Sequence, residues 1–173
     1  MDRESTEVLY GGAAGSGKSL LGSVWVIINC LQYPGTRWLI GRSKLSSLKQ
    51  TTMKTFRDTL NEFGLKNYRE YSWSGHSNEI RFANGSEVIM KDLFAYPSDP
   101  DFDSLGSLEI TGAFLDEVAQ ISRKAKDIVT SRIRYRLEEY GLLGKIFMTT
   151  NPSHNFAYTD FYKPWKNGVL EPY

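Results

Sequence analysis

The densest chemical signal in the chain is Gly12-Ala13-Ala14-Gly15-Ser16-Gly17-Lys18-Ser19. These residues fit G-x-x-x-x-G-K-[ST] at every position. In this spacing glycines let the backbone curl, so that successive N–H groups converge on phosphate oxygens. A helix starting at the lysine adds the partial positive charge of its N-terminus. Lys18 is expected to reach the β and γ phosphates of a nucleoside triphosphate, and the Ser19 hydroxyl to ligate Mg²⁺. A glycine loop that matched by accident would lack a flanking strand and helix, and both are predicted here.

Two further groups of residues suit the same chemistry. Ala113-Phe114-Leu115-Asp116-Glu117 reads as an apolar strand that delivers two carboxylates at its C-terminal tip. Asp116 suits the magnesium shell, directly or through water. Glu117, one residue on, suits a base that orients and deprotonates a water for attack on the γ phosphate. Such a pair can also cap the following helix, but the phosphate loop upstream favours the catalytic role. Phe147-Met148-Thr149-Thr150-Asn151-Pro152 ends a second buried strand in three polar side chains and a turn-fixing proline. Thr150 and Asn151 are therefore expected near the γ phosphate, where they can sense its loss; an Asx-type turn is the plainer alternative. Arg42, at the end of another predicted strand, is either a phosphate sensor or a surface arginine.

The elements that must position these groups follow from periodicity. Strands are predicted over 7–10, 37–41, 110–115 and 145–149. Segments 79–83 and 87–93 flank Asn84-Gly85, a tight hairpin turn. Apolar residues recur at helical spacing from Lys18 to Leu31, through Leu45, Leu48, Phe56, Leu60 and Phe63, and through Ile121, Ala125, Ile128, Val129, Ile133 and Leu137. Alternating strands and helices predict an α/β fold: a mainly parallel sheet with helices on both faces and an added β-hairpin. On the third helix, phase places Arg132 in the apolar stripe and Arg134 opposite it. An inward guanidinium needs an anion, either a structural carboxylate or a nucleotide phosphate.

Composition bounds the rest. The 173 residues and 19.7 kDa suit one domain, and 40% apolar with 24% charged residues suit ordinary globular material. The net charge of +1 hides segregation. Six basic and no acidic residues lie in 37–57, and seven acidic and no basic residues in 92–117. Six basic residues and Asp127 occupy 123–136. Taken singly, such blocks read as solvated faces; together they imply surfaces of opposite sign. The lone Cys30 excludes an intramolecular disulfide framework and reads as inert packing. Met1-Asp2-Arg3-Glu4 resembles no signal peptide, and the apolar stretch 20–30 falls short of the roughly 18 residues of a membrane span. A soluble intracellular protein without a membrane partner is expected. His76 and His154 have no ligand-like neighbours in sequence, and the aromatic tail (Phe156, Tyr158, Phe161, Tyr162, Trp165, Tyr173) suits core or docking surface.

The phosphate loop, the strand Thr111–Val118 with its acid pair and the tip Thr149-Thr150-Asn151-Pro152 together resemble the ATPase domain of phage terminase large subunits. The resemblance runs from about Val8 to Trp165, and the Thr-Thr-Asn-Pro segment resembles that family's coupling motif. It implies a RecA-like P-loop NTPase of the additional-strand, catalytic-glutamate (ASCE) type, with the strand carrying Thr149 between the P-loop strand and the Asp116 strand. It further implies Mg²⁺-dependent ATP hydrolysis coupled to movement of double-stranded DNA. The expected setting is a homo-oligomeric ring on a capsid portal protein, with a small terminase subunit, in the cytoplasm of the infected bacterial host. Two features depart from the family. The P-loop holds no arginine, and Ser104-Leu105-Gly106-Ser107 stands where other members carry one before the acid pair. A charge-neutralising arginine must then come from elsewhere, with Arg132 or Arg134 as candidates in the chain's own site or a neighbour's. Residues 1–173 are expected to form a single P-loop ATPase domain, truncated at its C-terminal end, with one sheet edge open and no nuclease domain. Another P-loop ATPase, such as a helicase or PhoH-like protein, or a slow ATP-binding switch or assembly protein, stays open. The acid pair disfavours a nucleoside kinase, and the lack of Asn-Lys-x-Asp disfavours a GTPase.

Overall fold

The computed structural model describes residues 4–13, 15–74, 76 and 78–169. Ala14 of the phosphate loop, and Leu170 and Tyr173 near the end of the chain, lie outside the described residues. The chain begins with β1 (Glu7–Gly11), α1 (Lys18–Gln32) and β2 (Arg37–Arg42). One continuous helical segment follows, made of α2 (Leu45–Ser47), a π-helical turn (Leu48–Thr52) and α3 (Met53–Glu62). Then come β3 (Tyr71–Ser74), β4 (Glu79–Phe82), β5 (Glu87–Asp92), β6 (Gly112–Leu115), α4 (Arg123–Ser131), α5 (Leu137–Tyr140) and β7 (Lys145–Thr150). A second π-helical turn (Tyr158–Tyr162) leads into α6 (Lys163–Lys166).

The strands form one sheet in the order β1-β7-β6-β2-β5-β4-β3. β1, β7, β6, β2 and β5 run parallel, while β4 and β3 are antiparallel additions. β7 thus lies between the P-loop strand and the Asp116 strand. The expected hairpin is present, with Gly85 at a φ of 85° that suits its turn. Its second strand is more than an addition. β5 runs parallel to β2 in register from Arg37 opposite Glu87 to Arg42 opposite Asp92. Strand β3 extends the sheet beyond the sequence expectation. Among the described residues, β1 pairs only with β7, and no strand covers its other edge.

Side-chain alternation along the strands builds two cores. Trp38, Ile40, Phe114 and Phe147 face α1 and α3, packing with Val26, Ile27, Met53, Phe56 and Leu60. Leu39, Ala113, Leu115, Ile146 and Met148 face the other way, against Ile121, Ala125 and Val129 around α4. Gly22 lets α1 sit close: a Cβ there would lie 2.2 Å from the Phe114 ring. Cys30 is fully buried in the first core, and burial pushes its thiol pKa up, as inert packing requires.

The third helix is shorter than its apolar spacing predicts. The Ser122 hydroxyl caps its start by accepting the Ala125 N–H at 3.1 Å. It ends at Ser131 because Ile110 draws the next residues into strand-like pairing. The Ile110 N–H donates to the Arg132 carbonyl at 3.0 Å, and the Arg134 N–H donates to the Ile110 carbonyl at 2.9 Å. Tertiary pairing overrides the helical phase, so Arg132 and Arg134 are not the two faces of one helix.

Candidate active site

The alternation that builds the first core also aims its strands at one point. On β2, β6 and β7 the residues two beyond Ile40, Phe114 and Phe147 are Arg42, Asp116 and Thr149. All three lie on the α1 face at the C-terminal strand tips, where ligands bind in open α/β sheets. The phosphate loop enters the same place from β1. Gly15 and Gly17 have φ of 80° and 73°, the left-handed region that glycine adopts without steric cost, and Gly17 opens α1. Lys18 curls over its own loop, with Nζ donating to the carbonyls of Gly12 at 2.8 Å and Ala13 at 2.7 Å and to Ser16 Oγ at 3.2 Å.

Asp116 is the hub. Its residue is 3% exposed, and Oδ2 accepts from Ser19 Oγ at 3.0 Å and Thr52 Oγ1 at 2.6 Å. Oδ1 accepts from Thr149 Oγ1 at 2.7 Å. A hydrogen bond to a charged group contributes about 1.5–3 kcal/mol, so these three offset the desolvation of the buried carboxylate. An ionised carboxylate has about four lone-pair sites, of which the hydroxyls occupy three.

Glu117 departs from strand geometry at the point where chemistry would need it to. Consecutive strand residues face opposite ways, yet both acids reach Arg42: its Nη2 donates to Glu117 Oε2, and its Nη1 lies 3.6 Å from Asp116 Oδ2. The break is the backbone of Glu117, at φ 58°, a left-handed conformation that costs a residue with a Cβ about 1–3 kcal/mol. The Glu117 N–H donates to Thr149 Oγ1 at 3.2 Å, and its Oε1 accepts from Asn151 Nδ2 at 3.1 Å. Two polar atoms beside Glu117, Arg42 Nε and Asn151 Oδ1, are buried without a partner among the described residues. A buried free donor and a buried free acceptor beside a carboxylate suit an anionic oxygen and a water proton respectively.

The structure therefore brings Gly12, Ala13, Gly15, Ser16, Gly17, Lys18, Ser19, Arg42, Asp116, Glu117 and Asn151 together. Arg42 is no surface arginine; its side chain is 14% exposed and spans the acid pair. Thr150 is turned away. Its hydroxyl donates to the Asn151 carbonyl at 2.8 Å, and its own carbonyl accepts the Gly12 N–H at 3.2 Å, tying the β7 tip to the phosphate loop through backbone. Of the two threonines at the β7 tip, Thr149 is the one whose hydroxyl reaches the acid pair. Thr52, on the helix after β2, is the residue that the sequence reading missed altogether.

Arg132 and Arg134 stand at the opposite end of β6, beside Ile110. A rise of about 3.3 Å per residue puts that end roughly 20 Å from Asp116. Arg134 is exposed and paired with Glu109 at 3.2 Å, and Arg132 Nε is buried without a partner among the described residues. Neither belongs to the chain's own phosphate site. A cleft of about 590 Å³ lined by Trp25, Trp38, Tyr140 and Phe147 also lies toward the N-terminal strand ends, away from the chemistry.

No group of three or more His, Cys, Asp or Glu that could hold a metal occurs among the described residues. Mg²⁺ is held by one or two protein ligands together with substrate phosphates and water rather than by a protein cage. Ser19 and Asp116 are the residues that would hold it.

A protein-family comparison matches residues 3–169 to the phage terminase large subunit model. None of the curated proteins matches the chain. Among solved structures, the large terminase from a thermophilic bacteriophage, in complex with ADP, superposes with a TM-score of 0.75 at 13% identity. The match covers 96% of this chain and 39% of that one, so the chain spans about two fifths of that relative's length. The Thermus phage P74-26 large terminase ATPase domain gives 0.61 at 19% identity, over 97% of this chain and 69% of that one. The N-terminal domain of the DNA packaging ATPase from bacteriophage phi29 gives 0.59 at 17% identity, over 95% and 81%. These likenesses establish the shared RecA-like fold, and the family match over nearly the whole sequence establishes that the chain belongs to the phage terminase large subunit family.

Proposed function

We propose that this chain hydrolyses ATP with Mg²⁺ to drive double-stranded DNA into a viral capsid. One observation carries the reading: Ser19 of the phosphate loop, Thr149 and Asn151 of the β7 tip and Arg42 of β2 all close on Asp116 and Glu117. Relatives solved with ADP and with ATP-gamma-S, and a relative described as a DNA packaging ATPase, support the nucleotide and the task. In this reading Lys18 and the loop amides hold the phosphates, with Ala14 as a member of the loop. Ser19 and Asp116 would hold the metal, which would supply positive charge to the phosphates. Glu117 takes a proton from the attacking water, and Asn151 orients that water through Oδ1. Thr150 contributes through its backbone carbonyl on the loop.

Arg42 supplies the arginine that the P-loop lacks. Arg134, exposed at the far end of β6, is the arginine offered to a neighbour in a ring, whereas Arg132 stays within its own fold. The portal protein and a small terminase subunit are the expected partners, and the host cytoplasm is the setting.

Lys18→Ala should abolish saturable binding of a fluorescent ATP analogue, because the cation facing the β and γ phosphates is gone. Wild-type titration of this variant would contradict the cradle. The motor reading is tested by ATP turnover with and without linear double-stranded DNA across a protein dilution series. Turnover per subunit should rise with DNA and with protein concentration. Turnover indifferent to DNA would favour a nucleotide switch instead.

A further inference from the structure

The helix after β2 carries a wide turn that the ATPase reading does not use. Leu48–Thr52 is π-helical, closed by the Met53 N–H donating to the Leu48 carbonyl five residues back. Such turns cluster at functional sites because the extra residue re-aims the side chains around it. Here it turns two adjacent residues inward: Thr52 and Met53 are both fully buried. Met53 enters the first core, while Thr52 donates to Asp116 Oδ2 at 2.6 Å. The preceding residue, Thr51, accepts from Arg42 Nη1 and donates to the Ser47 carbonyl at 2.8 Å. One turn thus addresses both acids, Asp116 directly and Glu117 through Arg42.

We propose that Thr52 is a positioning residue of the magnesium site, brought to Asp116 by the π-helical turn. This deepens the ATPase reading and rests on it. Oδ2 has about two lone-pair sites, and Thr52 and Ser19 fill them. With Thr52 in place, Asp116 holds a single rotamer and the Ser19 proton is committed to Oδ2, which would leave the lone pairs of Ser19 Oγ available to a metal ion. Without the Thr52 hydroxyl, Oδ2 is left half-satisfied, and the Arg42 Nη1 at 3.6 Å is free to close on it. The carboxylate then rotates, and Ser19 loses its fixed orientation.

The test is Mn²⁺ binding followed by EPR on the chain saturated with ADP, with melting temperature measured on the same samples. Thr52→Val should weaken Mn²⁺ about tenfold or more, as loss of a group orienting a metal ligand does. Thr52→Ser, which keeps the hydroxyl, should stay within about twofold of wild type, well short of that loss. Thr59→Val removes another buried hydroxyl of the same helix, one that donates only to the Thr55 carbonyl at 2.8 Å. It should lower the melting temperature and leave Mn²⁺ affinity unchanged. If Thr52→Val melts below the assay temperature, Thr52→Cys, whose thiol is a weak donor, takes its place with the same expectation. Wild-type affinity in a folded Thr52→Val or Thr52→Cys chain overturns the assignment, as does an equal loss in Thr59→Val. A wild-type chain that binds no Mn²⁺ with ADP overturns the ATPase reading itself.

Discussion

Glu117→Gln should keep nucleotide affinity within a few-fold of wild type and slow turnover by about 10²–10⁴, the range a positioned general base contributes. The amide is nearly isosteric, and its oxygen can still accept from Asn151 Nδ2. It cannot accept the proton of the attacking water. The phosphate contacts of Lys18 and the loop are untouched, so binding and turnover separate. Equilibrium nucleotide titration and single-turnover phosphate release on one preparation check both halves. A variant that turns over at the wild-type rate would remove Glu117 from the base role.

Arg42→Ala should cost still more, about 10³-fold or beyond, in the range measured for arginines that neutralise a transferring phosphoryl group. The guanidinium is nearly buried, lies against both carboxylates and has Nε unpartnered among the described residues. In that position it can trade Glu117 for the γ phosphate, which places a cation on the developing charge and frees the base in one movement. Arg42→Lys should recover little, since an ammonium lacks the planar fork needed to span Thr51, Glu117 and a phosphate oxygen at once. The sign of the effect is decisive. Were Arg42 only a brake on Glu117, its removal would raise kcat in steady-state assays.

Much of this site is legible in the sequence because its parts are local. The phosphate loop is a contiguous motif, and Asp116-Glu117 and Asn151 end apolar runs whose strand character is plain. Thr149 was equally readable, since strand alternation places it, not Thr150, on the face of Phe147. Thr52 left a fainter trace. Leu48, Thr52, Phe56 and Leu60 step by four along the second helix, so one polar residue interrupts an inward stripe. Nothing local announces the π-helical turn, or the partner 64 residues away that makes the inward hydroxyl useful. Arg132 lies away from the chain's own phosphate site for the opposite reason. Its helical phase was sound as far as Ser131, and the pairing of Ile110 with Ile133 then ended the helix. The return of β5 into the parallel sheet is likewise a long-range choice, invisible in the two runs that flank Asn84-Gly85.

The central claim is that a water activated by Glu117 attacks the γ phosphorus of ATP at this P-loop. It is tested most directly by single-turnover hydrolysis of Mg·ATP in ¹⁸O-water, with mass spectrometry of both products. The account predicts solvent oxygen in the released phosphate and none in ADP from the wild-type chain. It predicts no labelled phosphate on the same timescale from Glu117→Gln, although that variant still holds ATP. Labelled phosphate released by Glu117→Gln at the wild-type rate, or solvent label in ADP, would contradict it.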